Sequence, residues 1–202
     1  PLFLKIFSRR YREGYTLLRS VESAVSTQLK LGTSTESNVN PILDMGQILE
    51  DASDVSLRGF VFPFLIWPGA RPFLDEILFE LGNVGYIIKV RETGPNQSLR
   101  DVVAAAYKHE SIDSWKTEVK LCAMSTRGVK TVTIAYVIFP TNTFRLSGKR
   151  LFSNEAKLVK QSIRNQYRHL IPDYRFDEII HSPDNFENNA LLISELERLD
   201  LL

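Results

Sequence analysis

The segment FDEIIHSPDNFE, residues 176–187, holds the residues whose types and spacing come closest to a reactive site. His181 closes a strand-like run, and Asp184 and Glu187 follow as a D-x-x-E variant of the capping box, which predicts a helix opening beside the imidazole. The free N–H groups and dipole at a helix start favour an anion, phosphate above all. A neutral imidazole oriented through its second ring nitrogen is a competent nucleophile toward phosphoryl groups. Glu178, three residues upstream, is the candidate to orient it. The plainer alternative is a histidine that packs a strand end ahead of a well-capped turn.

A second feature lies just upstream. Lys157, Lys160, Arg164 and Arg168 are spaced three, four and four residues apart, so a helix places all four on one face. Lys149, Arg150 and Arg175 flank that helix in loops. Phe144 to Arg175 contains eight Lys or Arg against two acids, Glu155 and Asp173, whereas Phe176 to Leu202 contains seven acids and one Arg. Such a stripe is either a solvated face or an anion site, and the anion would be a nucleotide phosphate or a nucleic-acid backbone. Tyr167 and Tyr174 are available to stack on bases, although Tyr167 also has core spacing with Ile163.

Other reactive side chains are sparse. His109 and His169 read as surface or helix-end residues, and three scattered histidines make no metal signature. Cys122, the one cysteine, excludes an intrachain disulfide and reads as a core residue on an apolar helix face. That usage fits a reducing compartment, cytoplasmic or similar. Neither a Walker loop nor a dinucleotide glycine fingerprint is present. The longest apolar run, Phe60–Trp67, is broken by Pro63 and falls far short of the roughly 20 residues a bilayer crossing needs, so no membrane association is expected.

These candidates need elements to position them. With 202 residues and 44% hydrophobic content, the chain is long enough for one well-buried domain with an appended segment. Residues 1–57 read as a helical extension and linker, with a stripe of Tyr11, Tyr15, Leu18, Val25 and Leu29 and a second helix opening at Asn40-Pro41. It would serve as a dimerisation arm if the chain is a homo-oligomer. The start at Pro1 reads as a fragment or a trimmed chain.

Residues 58–202 form the main domain. Strands are expected at Phe60–Trp67, Tyr86–Glu92, Val129–Phe139 and Phe176–His181, and helices at 72–84, 98–108, 113–124 and 153–170, with a last helix after Asp184 carrying Leu191, Leu192, Leu196 and Leu199. The helix at 113–124 carries Trp115, Val119 and Cys122 at helical spacing, and PTNTFRLSGKRLF, residues 140–152, reads as a loop. The order β-α-β-α-α-β-α-β-α suits an α+β, ferredoxin-like domain whose helices pack on a mainly antiparallel four-stranded sheet.

Residues 58–198 resemble the nucleoside diphosphate kinase family. IIHSPDNFE is similar to that family's Asn-x-x-His-Gly-Ser-Asp-x-x-Glu, with His181 at the phosphorylated histidine, Asp184 at the aspartate and Glu187 at the glutamate. FLIWPGARPFLDEIL is similar to the first strand and helix, with Pro68 at the proline of a Lys-Pro-Asp-Gly turn. SIRNQY resembles Ile-Arg-Gly-Asp-Phe, which implies that Arg164 contacts phosphate. Tyr107 and Trp115 fall near the aromatic residues of the family's helical hairpin, where one stacks on the base.

The resemblance implies a nucleotide or other phosphorylated small molecule as ligand, accompanied by Mg2+. This sequence departs from the pattern where Trp67 stands for the family's lysine, Glu178 for the asparagine and Ser182-Pro183 for Gly-Ser. Those departures imply a binding domain with degenerate or altered catalysis. The alternatives are an active phosphotransferase working through a phosphohistidine at His181, and a nucleic-acid-binding module on the basic helix.

Overall fold

The computed structural model describes residues 61–139, 144–147, 150–175 and 177–202. The expected helices of residues 1–57, and Lys149, lie outside them. Four strands, β1 (Val61–Ile66), β2 (Tyr86–Glu92), β3 (Thr133–Ile138) and β6 (Ile180–His181), form an antiparallel sheet in the order β2-β3-β1-β6. The domain is therefore α+β, with β1 and β3 as the interior strands. A separate two-stranded hairpin, β4 (Phe144–Ser147) with β5 (Arg150–Ser153), stands where the sequence predicts a loop.

Strand alternation divides the core into two layers. Val61 and Leu65 of β1, with Ile134, Tyr136 and Ile138 of β3, face α2 (Leu99–Tyr107), α3 (Ser114–Ser125) and α5 (Phe186–Arg198). Phe62, Phe64 and Ile66, with Ala135 and Val137, face α1 (Leu74–Val84) and α4 (Asn154–Tyr167). Every residue of β1 and β3 is buried, as expected for strands covered by helices on both sides. Between α1 and β2 the chain passes so close to β3 that a Cβ on Gly85 would lie 2.5 Å from Val137 Cγ1, which only glycine accommodates.

Pro63 is tolerated in a central strand because β6 is short. It pairs only with Leu65 and Ile66, so Pro63 lies beyond its reach, and the Val61 carbonyl is met instead by the Asn189 side chain of α5. The expected strand Phe176–His181 shrinks for a local reason. Asp177 adopts a left-handed backbone (φ 54), and the Glu178 carboxylate accepts from the Arg175 N–H at 3.0 Å, a turn that no strand can include.

Two further expectations are corrected by packing, and one left open is decided. Asn185, not Asp184, caps α5, its side chain accepting from the Asn188 N–H, because Asp184 is drawn to Lys160. α3 buries Lys120, Leu121 and Met124, whereas Trp115 is 54% exposed and Cys122 is exposed. The helix is thus rotated from the face its apolar residues suggest. Tyr167 is a core residue, stacked on Phe73 at 5.0 Å with its hydroxyl donating to Glu80.

Candidate functional site

The short strand β6 brings His181 against β1, buried beneath the end of α2. Its ring lies 4.5 Å from that of Tyr107 and 6.3 Å from that of Trp67. One ring nitrogen meets the Ala106 carbonyl, while Nε2 is buried without a hydrogen-bond partner, 3.5 Å from Glu110 Oε1. Burial holds the imidazole well below its ordinary pKa, and the charges of Lys120, Lys160 and Arg164 add to that effect, so His181 is neutral at physiological pH.

A cavity of about 450 Å³ opens beside this ring. Lys116 and Lys120 of α3, Arg150 of the hairpin, and Lys160 and Arg164 of α4 line it, against the acids Glu110, Asp177 and Asp184. Asn185 and Asn188, at the start of α5, complete its polar wall. The hairpin is tied to this end of the molecule by a hydrogen bond from the Ser153 N–H to the Asp184 carbonyl and by the pairing of Phe152 with Asn185.

The cations are held in different ways. Arg164 donates from Nε and Nη2 to the Ile180 carbonyl, at 3.2 and 2.9 Å, and its Nη1 pairs with Asp177 at 3.1 Å. Buried Lys160 is paired with Asp184 and donates to the Ser182 carbonyl. Its pKa is lowered by desolvation, which Asp184 opposes. Lys120 donates to the Tyr107 hydroxyl and to the Asp177 carbonyl, with Nζ 4.8 Å from the Trp67 ring centre. Desolvation, reinforced by Arg164, lowers its pKa to about 7. Glu110 is pushed up by burial, and Tyr107 likewise.

The site therefore gathers His181, Arg164, Lys160, Arg150, Tyr107 and Asp184, which the sequence singled out from four separate segments. Other candidates fall elsewhere. Lys157 and Arg168 are exposed and outside the cavity lining, because the stripe divides into an inward and an outward pair. Glu187 is exposed in the first turn of α5. Trp115 lies outside the lining, with Lys116 over its ring at 5.5 Å.

Glu178 does not orient His181. It is fully buried, and one carboxylate oxygen accepts from Arg127 Nη2 at 2.9 Å and from the Arg175 N–H. The contacts that place the imidazole come instead from Ala106 and Tyr107 of α2.

Sequence reasoning missed Lys120 and Glu110. Lys120 had one signal, its place four residues before the buried Met124 on the inner face of α3. Glu110 had none, since it lies in the turn between two helices. Trp67 is fully buried and stacked on Tyr107 at 6.4 Å and 16°, and Lys120 brings its Nζ over the residue that removed a lysine from the expected pattern.

Among the described residues no group of three or more His, Cys, Asp or Glu is arranged to hold a metal ion. Asp184 and Asp177 already face Lys160 and Arg164, so the carboxylates fit a Mg2+ ion poorly. Also among the described residues, no helix is long and apolar enough to cross a membrane. No protein-family model and no curated protein matches the chain.

Proposed function

We propose that this domain binds a nucleotide or another phosphorylated small molecule in the His181 cavity and does so without an efficient phosphohistidine step. One observation carries the reading: two partly or fully desolvated cations, Lys160 and Arg164, stand beside a neutral imidazole at one cavity, with Lys120 lining the same wall. Desolvated cations bind phosphate oxygens more strongly than exposed ones, because the interaction is less screened. The strand order β2-β3-β1-β6 supports a ferredoxin-like fold and, with it, the likeness to nucleoside diphosphate kinases.

The same geometry argues against a nucleophilic His181. Nε2 is occluded and faces a carboxylate, and the other nitrogen is engaged by Ala106. A phosphoryl group would have to displace one of these neighbours. The nucleic-acid reading keeps only Lys157 and Arg168 as outward cations of the helical stripe, since Lys160 is buried in its pair with Asp184.

Calorimetric titration with pyrophosphate and with ADP tests the proposal. The expected result is one site, weakened about tenfold or more by Arg164→Ala, the loss of one charge-assisted hydrogen bond. Absence of binding to either ligand sinks the reading. Incubation with a γ-labelled nucleoside triphosphate and magnesium should leave the protein unlabelled. An acid-labile label that His181→Ala abolishes would replace the binding reading with the phosphotransferase.

A further inference from the structure

Lys120 and Lys160 are both buried lysines at the same cavity, yet they are held in opposite ways. Lys160 has a carboxylate, Asp184, that keeps an ammonium in place. The acceptors of Lys120 are a phenol, Tyr107, and a backbone carbonyl, that of Asp177. Two acceptors match the two N–H bonds of a neutral amine, leaving the lone pair of Nζ for the cavity the residue lines.

The aromatic face of Trp67, 4.8 Å away, covers one side of the nitrogen, and the Tyr107 hydroxyl meets it from another. Among the groups acting on it, Arg164 opposes a positive charge, while Asp177, Glu110 and Glu178 favour one. Desolvation outweighs the acids, and the neutral amine is well populated near pH 7. A lysine that is desolvated and beside another cation is the usual form of an activated amine nucleophile.

We propose that Lys120 captures an aldehyde or ketone that carries a phosphate group, forming a Schiff base in the cavity. The phosphate half of this assignment rests on the anion-binding reading above, with Arg164 and Lys160 as its cations. The Nζ lone pair adds to the carbonyl carbon and the C–O π pair moves to oxygen. The carbinolamine then expels that oxygen as water, which carries away both amine hydrogens as the C=N bond forms. The Tyr107 hydroxyl, hydrogen-bonded to Nζ, is placed to relay one of those protons.

Pyridoxal 5′-phosphate, a phosphorylated aldehyde whose imine is fixed by borohydride, is the probe. Equimolar probe, reduction and peptide mapping of the full chain should give one pyridoxyl adduct, at Lys120, suppressed by excess inorganic phosphate. The labelling rate should rise with pH through a midpoint of about 7. Lys120→Met, which removes the nucleophile and adds no buried charge, should abolish the adduct.

Adducts confined to Lys108, Lys116 or Lys157 overturn the proposal, and this result needs no variant to fold. Phosphate binding by calorimetry with no imine at Lys120 overturns the carbonyl chemistry and leaves the anion site standing. An adduct at Lys120 formed equally well by pyridoxal, and untouched by phosphate, supports the amine and overturns the phosphate half.

Discussion

Helix α3 separates two cavities that differ in the opposite sense from their size. Glu118, Leu121, Cys122 and Ser125 face the larger one, about 740 Å³, with the Thr93–Ser98 turn and Arg100 across from them. Lys116, Thr117 and Lys120 face the smaller one, about 450 Å³. Besides Lys130, the larger cavity carries its charge as Arg100–Glu118, a two-pronged pair at 2.8 and 3.2 Å whose side chains are 65% and 60% exposed. Water screens such a pair, and it contributes little. The smaller cavity holds lysines and a histidine that have lost most of their water, and their proton affinities are displaced accordingly. Volume alone does not mark a reactive site; desolvated charge does.

Removing one acid from each side is the sharpest test of that contrast. Asp184→Ala strips the partner from a buried ammonium and should lower stability by about 3 kcal/mol or more, the usual cost of an uncompensated buried charge. Glu118→Ala should leave the urea midpoint where it was. Equal shifts for the two variants would break the distinction between the cavities.

A smaller effect follows from the titration of Lys120. In the folded chain its amine loses a proton at about 7, while an unfolded lysine keeps one until about 10.4. Between those values the unfolded state binds more protons, so this residue makes stability rise with pH. Lys120→Met should flatten that rise, measured as urea midpoints across the interval. An unchanged slope would mean that the amine is not desolvated as the structure has it.

The smallest expected effect concerns Cys122. Exposed in the larger cavity, it should be fully alkylated by iodoacetamide in the folded protein, with the affinity for pyrophosphate unchanged. Loss of that affinity would show that the two sides of α3 are coupled.

Local patterns in the sequence determined much of the frame. Continuous apolar, β-rich runs placed β1 and β3 inside the sheet, Ser98 marked the start of α2, and the three- and four-residue steps of Lys157, Lys160, Arg164 and Arg168 defined one helix. His181 and Arg164 stood out from the same local reading. Each of these signals depends on neighbours within one or two turns of chain, which is the range over which backbone hydrogen bonding and side-chain period act.

What decided the site was contact between segments far apart in sequence. Asp184 could have capped α5, yet Lys160, 24 residues away, claimed its carboxylate and left the cap to Asn185. Glu178 could have faced His181, but Arg127, 51 residues away, holds it. The rotation of α3 that buries Lys120 and exposes Cys122 depends on Trp67 offering its ring face and Tyr107 its hydroxyl. A single residue carries the same side chain in any of these arrangements, and only the relative burial of its possible partners selects one of them. Desolvation is a property of the assembled layers, so the shifted proton affinities of Lys120 and His181 became legible only once the sheet and helices had closed over them.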